Sequence, residues 1–213
     1  DDAAKWKEIA EHMPAYPTVN SPDGAIFIDV AGAEPREYNI PVPLSAVFWA
    51  DDIGLDSPGE QQELARRTLN TINVWPPHRG YLRGVRRRLG IFDPSDGFAL
   101  ENFLQSHTGS IRVFPCLPAD FAGGFEKLGA QGAFVVSATR SGGRVRSLTI
   151  VSLAGNPCAL ISPWTDDLIS VIDLDTANEV KSEARAGRVL FSTERDHNYR
   201  IKAVSESAPN AEE

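Results

Sequence analysis

The sequence predicts an α+β chain in which a helical N-terminal region, residues 1–109, precedes an antiparallel β-sandwich over residues 110–204. Three observations carry this. Segments of the first half repeat their apolar residues at helical intervals, and from Ser110 onward the apolar period becomes two. Beyond that point turn-forming residues recur about every ten positions, the spacing of an antiparallel sandwich.

Lys5 to Met13 reads as a helix with Trp6, Ile9, Ala10 and Met13 on one face, stopped by Pro14. Tyr16 to Pro43 reads as loop around a short strand, Ala25-Ile26-Phe27-Ile28, because Pro17, Pro22, Pro35, Pro41 and Pro43 exclude regular structure elsewhere. Ser57-Pro58-Gly59-Glu60 is a helix start, with serine as N-cap, proline at the first helical position and glutamate closing a capping box. That helix extends to Ile72 and buries Leu64, Ala65, Thr68, Leu69 and Ile72.

Further helices are expected over Gly80–Leu89 and Pro94–His107, the latter with Asp93 as N-cap and Asp96 near the positive end of the dipole. Helix pairs joined by long loops suit part of an α/α barrel but are too few to close one. Leu64, Leu69, Ile72, Leu100, Phe103 and Leu104 are therefore expected to form an exposed apolar face that drives self-association or pairing with an upstream segment.

The expected strands are Ile111–Cys116, Ala133–Arg140, Val145–Leu153, Cys158–Ser162, Leu168–Leu174, Arg188–Ser192 and Tyr199–Val204, with Ser141-Gly142-Gly143 as a hairpin turn. Residues 205–213 are polar and acidic, which predicts a disordered tail.

Composition narrows the function classes. A net charge of −8 and a pI near 5.1 oppose broad attraction to nucleic acid or anionic membrane. The run from Ile40 to Ala50 is too short to span a bilayer, and the first residues have neither the basic nor the apolar part of a signal peptide. Cys116 and Cys158 permit at most one disulfide and leave the compartment open.

The stretch Glu101-Asn102-Phe103-Leu104-Gln105-Ser106-His107-Thr108-Gly109-Ser110-Ile111, continuing to Pro115 and Pro118, turns from helical to strand pattern within three residues. It resembles the segment that ends the catalytic helical barrel and opens the C-terminal β-domain in glycoside hydrolase family 95, a family of α-L-fucosidases and related α-glycosidases. Three other pieces follow in the family's order. Tyr38-Asn39-Ile40-Pro41-Val42-Pro43-Leu44 with Ile53-Gly54-Leu55 looks like a variant loop of the family's uncharacterised bacterial relatives. Phe125-Glu126-Lys127-Leu128-Gly129-Ala130-Gln131-Gly132-Ala133-Phe134-Val135-Val136-Ser137 resembles its "L-R-A-x-G-(A/G)-F-x-V" strand. Ile150-Val151-Ser152-Leu153-Ala154-Gly155-Asn156-Pro157-Cys158 resembles its "I-x-S-x-x-G-x-x-C" hairpin. The resemblance runs from Trp6 to Trp164.

What the resemblance implies is a C-terminal portion of such an enzyme. The helical part would be a fragment of an (α/α)6 barrel lining a sugar cleft, and the sandwich would brace it. The partners would be a glycan and the upstream catalytic segment, in an extracellular or periplasmic setting, with no cofactor. The family's general-acid glutamate and its asparagine pair lie upstream of the matched region. Its base-side aspartate, in "D-G-N-F-G", has its nearest counterpart in Asp96-Gly97-Phe98-Ala99, which lacks the asparagine and stands nearer to Glu101 than the family places it. Asp96 and Glu101 are thus the candidate catalytic residues, and Trp75, His78 and His107 the candidate substrate-binding residues.

Simpler readings stand beside these. Asp93 and Asp96 also suit an ordinary helix start, and His107 a helix C-terminus. Arg79, Arg83, Arg86, Arg87 and Arg88 suit a solvated or interdomain face. No histidines have paired metal-ligand spacing, and Asp173-x-Asp175 lacks the further oxygens of a calcium loop, so no metal site is expected. A non-catalytic carbohydrate-binding module is the other functional class, and Trp49, Trp75 and Trp164 discriminate, since sugars stack on exposed aromatic rings.

Overall fold

The computed structural model describes residues 2–164, 168–185 and 187–204. The expected tail, 205–213, lies outside the described residues. The chain is α+β and divides into two compact units, Asp1–Val85 and Arg86–Glu213. The change of apolar period near residue 110 falls inside the second unit rather than between the two.

The first unit contains α1 (Asp2–Glu11), β1 (Thr18–Ser21), β2 (Gly24–Phe27), β3 (Glu37–Tyr38), α2 (Ser45–Phe48), α3 (Gly59–Thr71), β4 (Asn73–Val74) and the start of α4 (Gly80–Arg88). β1 and β2 form a hairpin in which Thr18 lies opposite Phe27. Pro22, expected to exclude regular structure, instead sits in the hairpin turn, where no ladder N–H is needed.

Packing in this unit is set by α3 on β2. Ile26, Phe27 and Ile28 are buried with Ala65, Thr68 and Leu69. The Thr68 hydroxyl accepts the Phe27 N–H at 2.9 Å and donates to the Leu64 carbonyl at 2.7 Å, so a buried backbone donor finds its partner in a side chain. Arg67 adds a bond from Nη1 to the Ala25 carbonyl at 2.8 Å.

The start of α3 differs from expectation. Pro58 takes the N-cap position without a side-chain hydrogen bond, while the Ser57 hydroxyl accepts the Gly54 N–H at 3.0 Å. Gln62 closes that turn by donating to the carbonyls of Leu55 (3.3 Å) and Ser57 (2.8 Å). α1 buries none of its residues, and Trp6, Ile9 and Met13 are exposed.

The second unit completes α4 and continues through a 3-10 turn (Pro94–Asp96), α5 (Leu100–Phe103), β5 (Leu104–Gln105), β6 (Arg112–Val113), β7 (Gly123–Ala130), β8 (Phe134–Ser141), β9 (Arg144–Ser152), β10 (Cys158–Ile161), β11 (Leu168–Asp173), β12 (Glu179–Val180), β13 (Ser182–Arg185), β14 (Arg188–Phe191) and β15 (Asn198–Val204). A six-stranded antiparallel sheet has the order β12-β11-β15-β9-β8-β7, and a three-stranded one the order β10-β14-β13. One buried cluster draws on both. Val136, Leu148, Ile150, Val171, Tyr199 and Ile201 come from the larger sheet, and Cys158, Leu160, Val189 and Phe191 from the smaller. Alternation along β8, where Phe134, Val136 and Ala138 are buried, is the period-two pattern realised.

The hairpin turn between β8 and β9 is where expected, with Gly142 and Gly143 at φ 55° and 72° and Ser141 opposite Arg144. The Ser152 to Cys158 connection explains its own residues. The Ser152 hydroxyl accepts the Gly155 N–H at 3.0 Å and meets the Thr193 hydroxyl at 2.7 Å, while Thr193 donates to the Asn156 carbonyl at 2.6 Å.

Three expectations need correction here. The helix expected over Pro94–His107 is instead the 3-10 turn, an extended Ala99, one turn of α5 and β5. Gly97 at φ 65° breaks the helix, and the chain after Phe103 pairs with Arg112 and Val113. β7 was not among the strands expected from periodicity, for it is an edge strand with a bulge where Lys127 sits at φ 56° and donates its N–H to the Ser137 hydroxyl at 2.9 Å. Of the six residues expected to form an exposed apolar face, only Leu100 is exposed; Leu69 and Leu104 are buried and Leu64, Ile72 and Phe103 partly so.

Two outcomes test the first unit. A Cβ on Gly84 in α4 would lie 2.1 Å from Cε2 of Phe48, so Gly84→Ala is expected to destabilise by about 1–3 kcal/mol in urea denaturation. Asp29 has the opposite kind of dependence, on acid. Burial alone would raise its carboxyl above the ordinary 3.8, but hydrogen bonding and charge from Arg36, with a hydrogen bond from Tyr38, hold it lower. Its stabilisation is complete above about pH 5 and is lost as pH falls through the lowered folded value. Parent and Asp29→Asn should therefore differ in denaturation midpoint at pH 7 and converge in strong acid.

Candidate functional site

The two candidate catalytic carboxylates are both bound to arginines of α4's last turn. Arg86 donates from Nε and Nη2 to the two oxygens of Asp96, each at 2.6 Å, and Asp93 stands 3.8 Å from the same Nε. Hydrogen bonding to Asp96 is the main cause that pushes the Arg86 guanidinium above its ordinary range, with burial opposing it. The Asp96 side chain is only 7% exposed. Arg88 donates from Nε to Glu101 at 3.0 Å.

Arg87, between them, donates to the Asn102 side-chain oxygen at 3.1 Å and to the Asp96 carbonyl at 3.1 Å. Arg86, Arg87 and Arg88 of the basic cluster are therefore an intramolecular clamp on the Pro94–Phe103 segment, while Arg79 and Arg83 are exposed. A paired Asp93 also keeps the turn-capping role expected of it, accepting the Ser95 N–H at 2.9 Å.

Residues 105–201 match the family model of the glycoside hydrolase family 95 C-terminal domain. The match supports a C-terminal part like that of family 95. The matched stretch begins in β5, ends in β15 and lies wholly within the second unit. No curated protein matches the chain.

Within this matched part the junction residues have structural duties. Gln105 is buried and donates from Nε2 to the carbonyls of Arg87 (2.8 Å) and Glu101 (3.0 Å). The Ser106 hydroxyl accepts the Gln131 N–H at 2.9 Å. His107 lies in the turn between β5 and β6, apart from any helix end. Cys116 and Cys158 are free, buried thiols, and burial pushes Cys158 up to about 12, so both are packing residues.

The first unit holds the other two candidates on one 3-10 turn, Pro76–His78, which Trp75 precedes. The Trp75 N–H is tied to the Tyr38 carbonyl at 2.9 Å, and the residue is 47% exposed. His78 lines a cleft of about 460 Å³ with Phe48, Pro77, Gly80 and Tyr81. Trp49, expected from sequence as a possible stacking ring, and Tyr81, which was not singled out, complete an aromatic surface here. Trp49, 46% exposed, lies 5.6 Å from Tyr81 between ring centroids, and Tyr81 lies 6.3 Å from the His78 ring. Tyr81 follows the proline-rich turn in sequence and Trp49 ends α2 well before it, so only α2 and α4 together bring them to one place. Trp164, by contrast, is buried and donates its indole N–H to the Val145 carbonyl at 3.2 Å.

One further grouping escaped a reading based on spacing. Asp173, Asp175 and His197 each offer a ligand atom, and those atoms lie within 4.8 Å of one another. His197 Nδ1 is 2.8 Å from Asp173, whose hydrogen bond raises the imidazole above its ordinary value. Burial alone would raise Asp173, but hydrogen bonds from His197 and from the N–H groups of Asp175 and Thr176 lower it.

The clamp reading has a direct consequence. Asp96→Asn removes a charge from a bidentate pair and is expected to cost about 1–3 kcal/mol of stability, with no substrate present. Guanidinium denaturation followed by Trp164 emission reads this; an unchanged midpoint would leave Asp96 without the clamping role.

Proposed function

We propose that this chain is the C-terminal portion of a family-95-like glycoside hydrolase acting on α-linked sugars such as L-fucosides or galactosides. Its helical part lines the sugar cleft, its sheet unit braces the enzyme, and alone it is inactive. The observation that carries the reading is the family 95 match over residues 105–201. An extracellular or periplasmic location and a tendency to self-associate belong to the same proposal.

The chemistry follows from what the carboxylates do. Inverting hydrolysis needs a protonated and an ionised group roughly 6.5–9.5 Å apart across the glycosidic bond. Asp96 and Glu101 are committed to Arg86 and Arg88, so in this proposal they hold the Pro94–Phe103 segment in place and an upstream segment supplies the general acid. Sugar contact is assigned to Trp49, Trp75, His78 and Tyr81, whose rings offer apolar faces to pyranose C–H groups and whose imidazole and phenol reach hydroxyls.

The exposure of Trp49 and Trp75 favours one second reading, a non-catalytic carbohydrate-binding module built on the same surface. Both readings expect tryptophan emission to change on titration with L-fucose or D-galactose, and Trp49→Ala and Trp75→Ala to weaken that response. They part when the upstream segment is supplied in trans with aryl α-L-fucosides or aryl α-galactosides as substrates. Turnover appearing only in the mixture supports the enzyme portion, whereas binding without turnover supports the module. Turnover by the chain alone that Asp96→Asn abolishes would overturn the assignment of Asp96 to a clamp.

A further inference from the structure

We propose that Asp173, Asp175 and His197 form a binding site for a divalent first-row transition-metal ion, with Zn²⁺ as the best-suited member. The three side chains come from three segments. Asp173 ends β11, Asp175 sits in the turn toward β12, and His197 immediately precedes β15. β11 and β15 are hydrogen-bonded neighbours with Asp173 opposite Tyr199, so the sheet ladder itself holds the two sides of the site together.

Backbone donors aim both carboxylates. Oδ1 of Asp173 accepts the N–H groups of Asp175 at 2.9 Å and Thr176 at 3.4 Å, leaving Oδ2 toward the imidazole. Oδ2 of Asp175 accepts the Asn198 N–H at 2.6 Å and its side-chain N–H at 3.3 Å. Neither carboxylate needs to be reoriented by a long flexible stem, and Asp173 is buried while Asp175 is exposed, so the site is anchored on one side and open to solvent on the other.

The donor set selects the ion. Two carboxylates and one imidazole suit Zn²⁺ and its neighbours, whereas Ca²⁺ and Mg²⁺ take oxygen ligands and more of them. Tetrahedral bonds of about 2.0–2.2 Å put ligand atoms roughly 3.4 Å apart, so the Asp173 Oδ2–His197 Nδ1 pair would open slightly from its present 2.8 Å, and the turn bearing Asp175 would supply the remaining adjustment. The ion would replace the hydrogen now shared by Asp173 Oδ2 and His197 Nδ1. His197 Nε2 then faces Glu194, whose carboxylate oxygen is 3.6 Å away, and a small rotation of that exposed side chain makes the carboxylate–histidine–metal arrangement that fixes an imidazole ligand. The fourth position falls to water. Such an ion would tie the β11–β12 turn to the start of β15 and stabilise the six-stranded sheet, with no part in glycoside chemistry.

The test uses the full chain, stripped with EDTA and desalted, and ZnCl₂ alone as the probe. Calorimetric titration should show one saturable site, and thermal unfolding should shift upward with Zn²⁺ but not with equal Ca²⁺ or Mg²⁺. His197→Gln and Asp175→Asn should each weaken binding at least tenfold; circular dichroism confirms that they fold. Because a variant can fail for structural reasons, the parent protein supplies its own control: the His197 ring resonances should move on Zn²⁺ addition while those of His12 and His78 stay. Absence of saturable binding, or movement of another histidine with His197 unaffected, overturns the proposal.

Discussion

The buried amide of Asn102 is the interaction on which the second unit's helical-to-strand junction depends. Its oxygen accepts the Ala99 N–H at 2.8 Å and Arg87 Nε at 3.1 Å, and its nitrogen donates to the Cys116 carbonyl at 2.8 Å. One short side chain thereby joins α4, the start of α5 and the segment after β6. Gln105 adds a second buried amide on the same side, bonded to Arg87 and Glu101 carbonyls. An amide placed in apolar surroundings is stabilising only if its nitrogen and oxygen both find partners, and those of Asn102 do, so the geometry of the junction is specified rather than merely permitted.

That constraint decides what the charged residues nearby can do. With α4 held by Asn102 and Gln105, Arg86, Arg87 and Arg88 are presented as a row toward Pro94–Phe103. Asp96 and Glu101 then become the counterions of this row. The motif that resembles the family 95 junction is therefore a motif of assembly in this molecule. Recognisable residues at a domain junction report how two kinds of structure are joined, and chemistry has to be sought where exposed groups converge.

Convergence of that kind occurs in the first unit at the aromatic cleft beside His78, and in the second at the ends of β11 and β15. Both arise from contacts between residues far apart along the chain. Trp49 meets Tyr81 because α2 and α4 pack through Phe48 and Gly84. Asp173 meets His197 because their strands are neighbours in the sheet although β12, β13 and β14 intervene in sequence.

Period and turn chemistry determined the strands, since a half-buried strand writes its buried face into alternate residues. β8, β9, β10, β11, β14 and β15 were legible for that reason, and the Gly142-Gly143 turn because few other residues accept two successive positive φ angles. The helices over Gly59–Thr71 and Gly80–Arg88 were legible from their period as well. Tertiary structure alone decided the rest. Pro94–His107 has a helical composition, but Gly97, the Asn102 amide and pairing of Leu104 and Gln105 with β6 outweigh the roughly few tenths of a kcal/mol per residue that helix propensity offers. β7 was hidden because a bulged edge strand need not alternate. Of the candidate site, Trp75 and His78 were visible as residues, but whether a ring is exposed, a carboxylate is already paired, or a histidine faces two aspartates depends on strand order and helix packing, which local sequence does not encode.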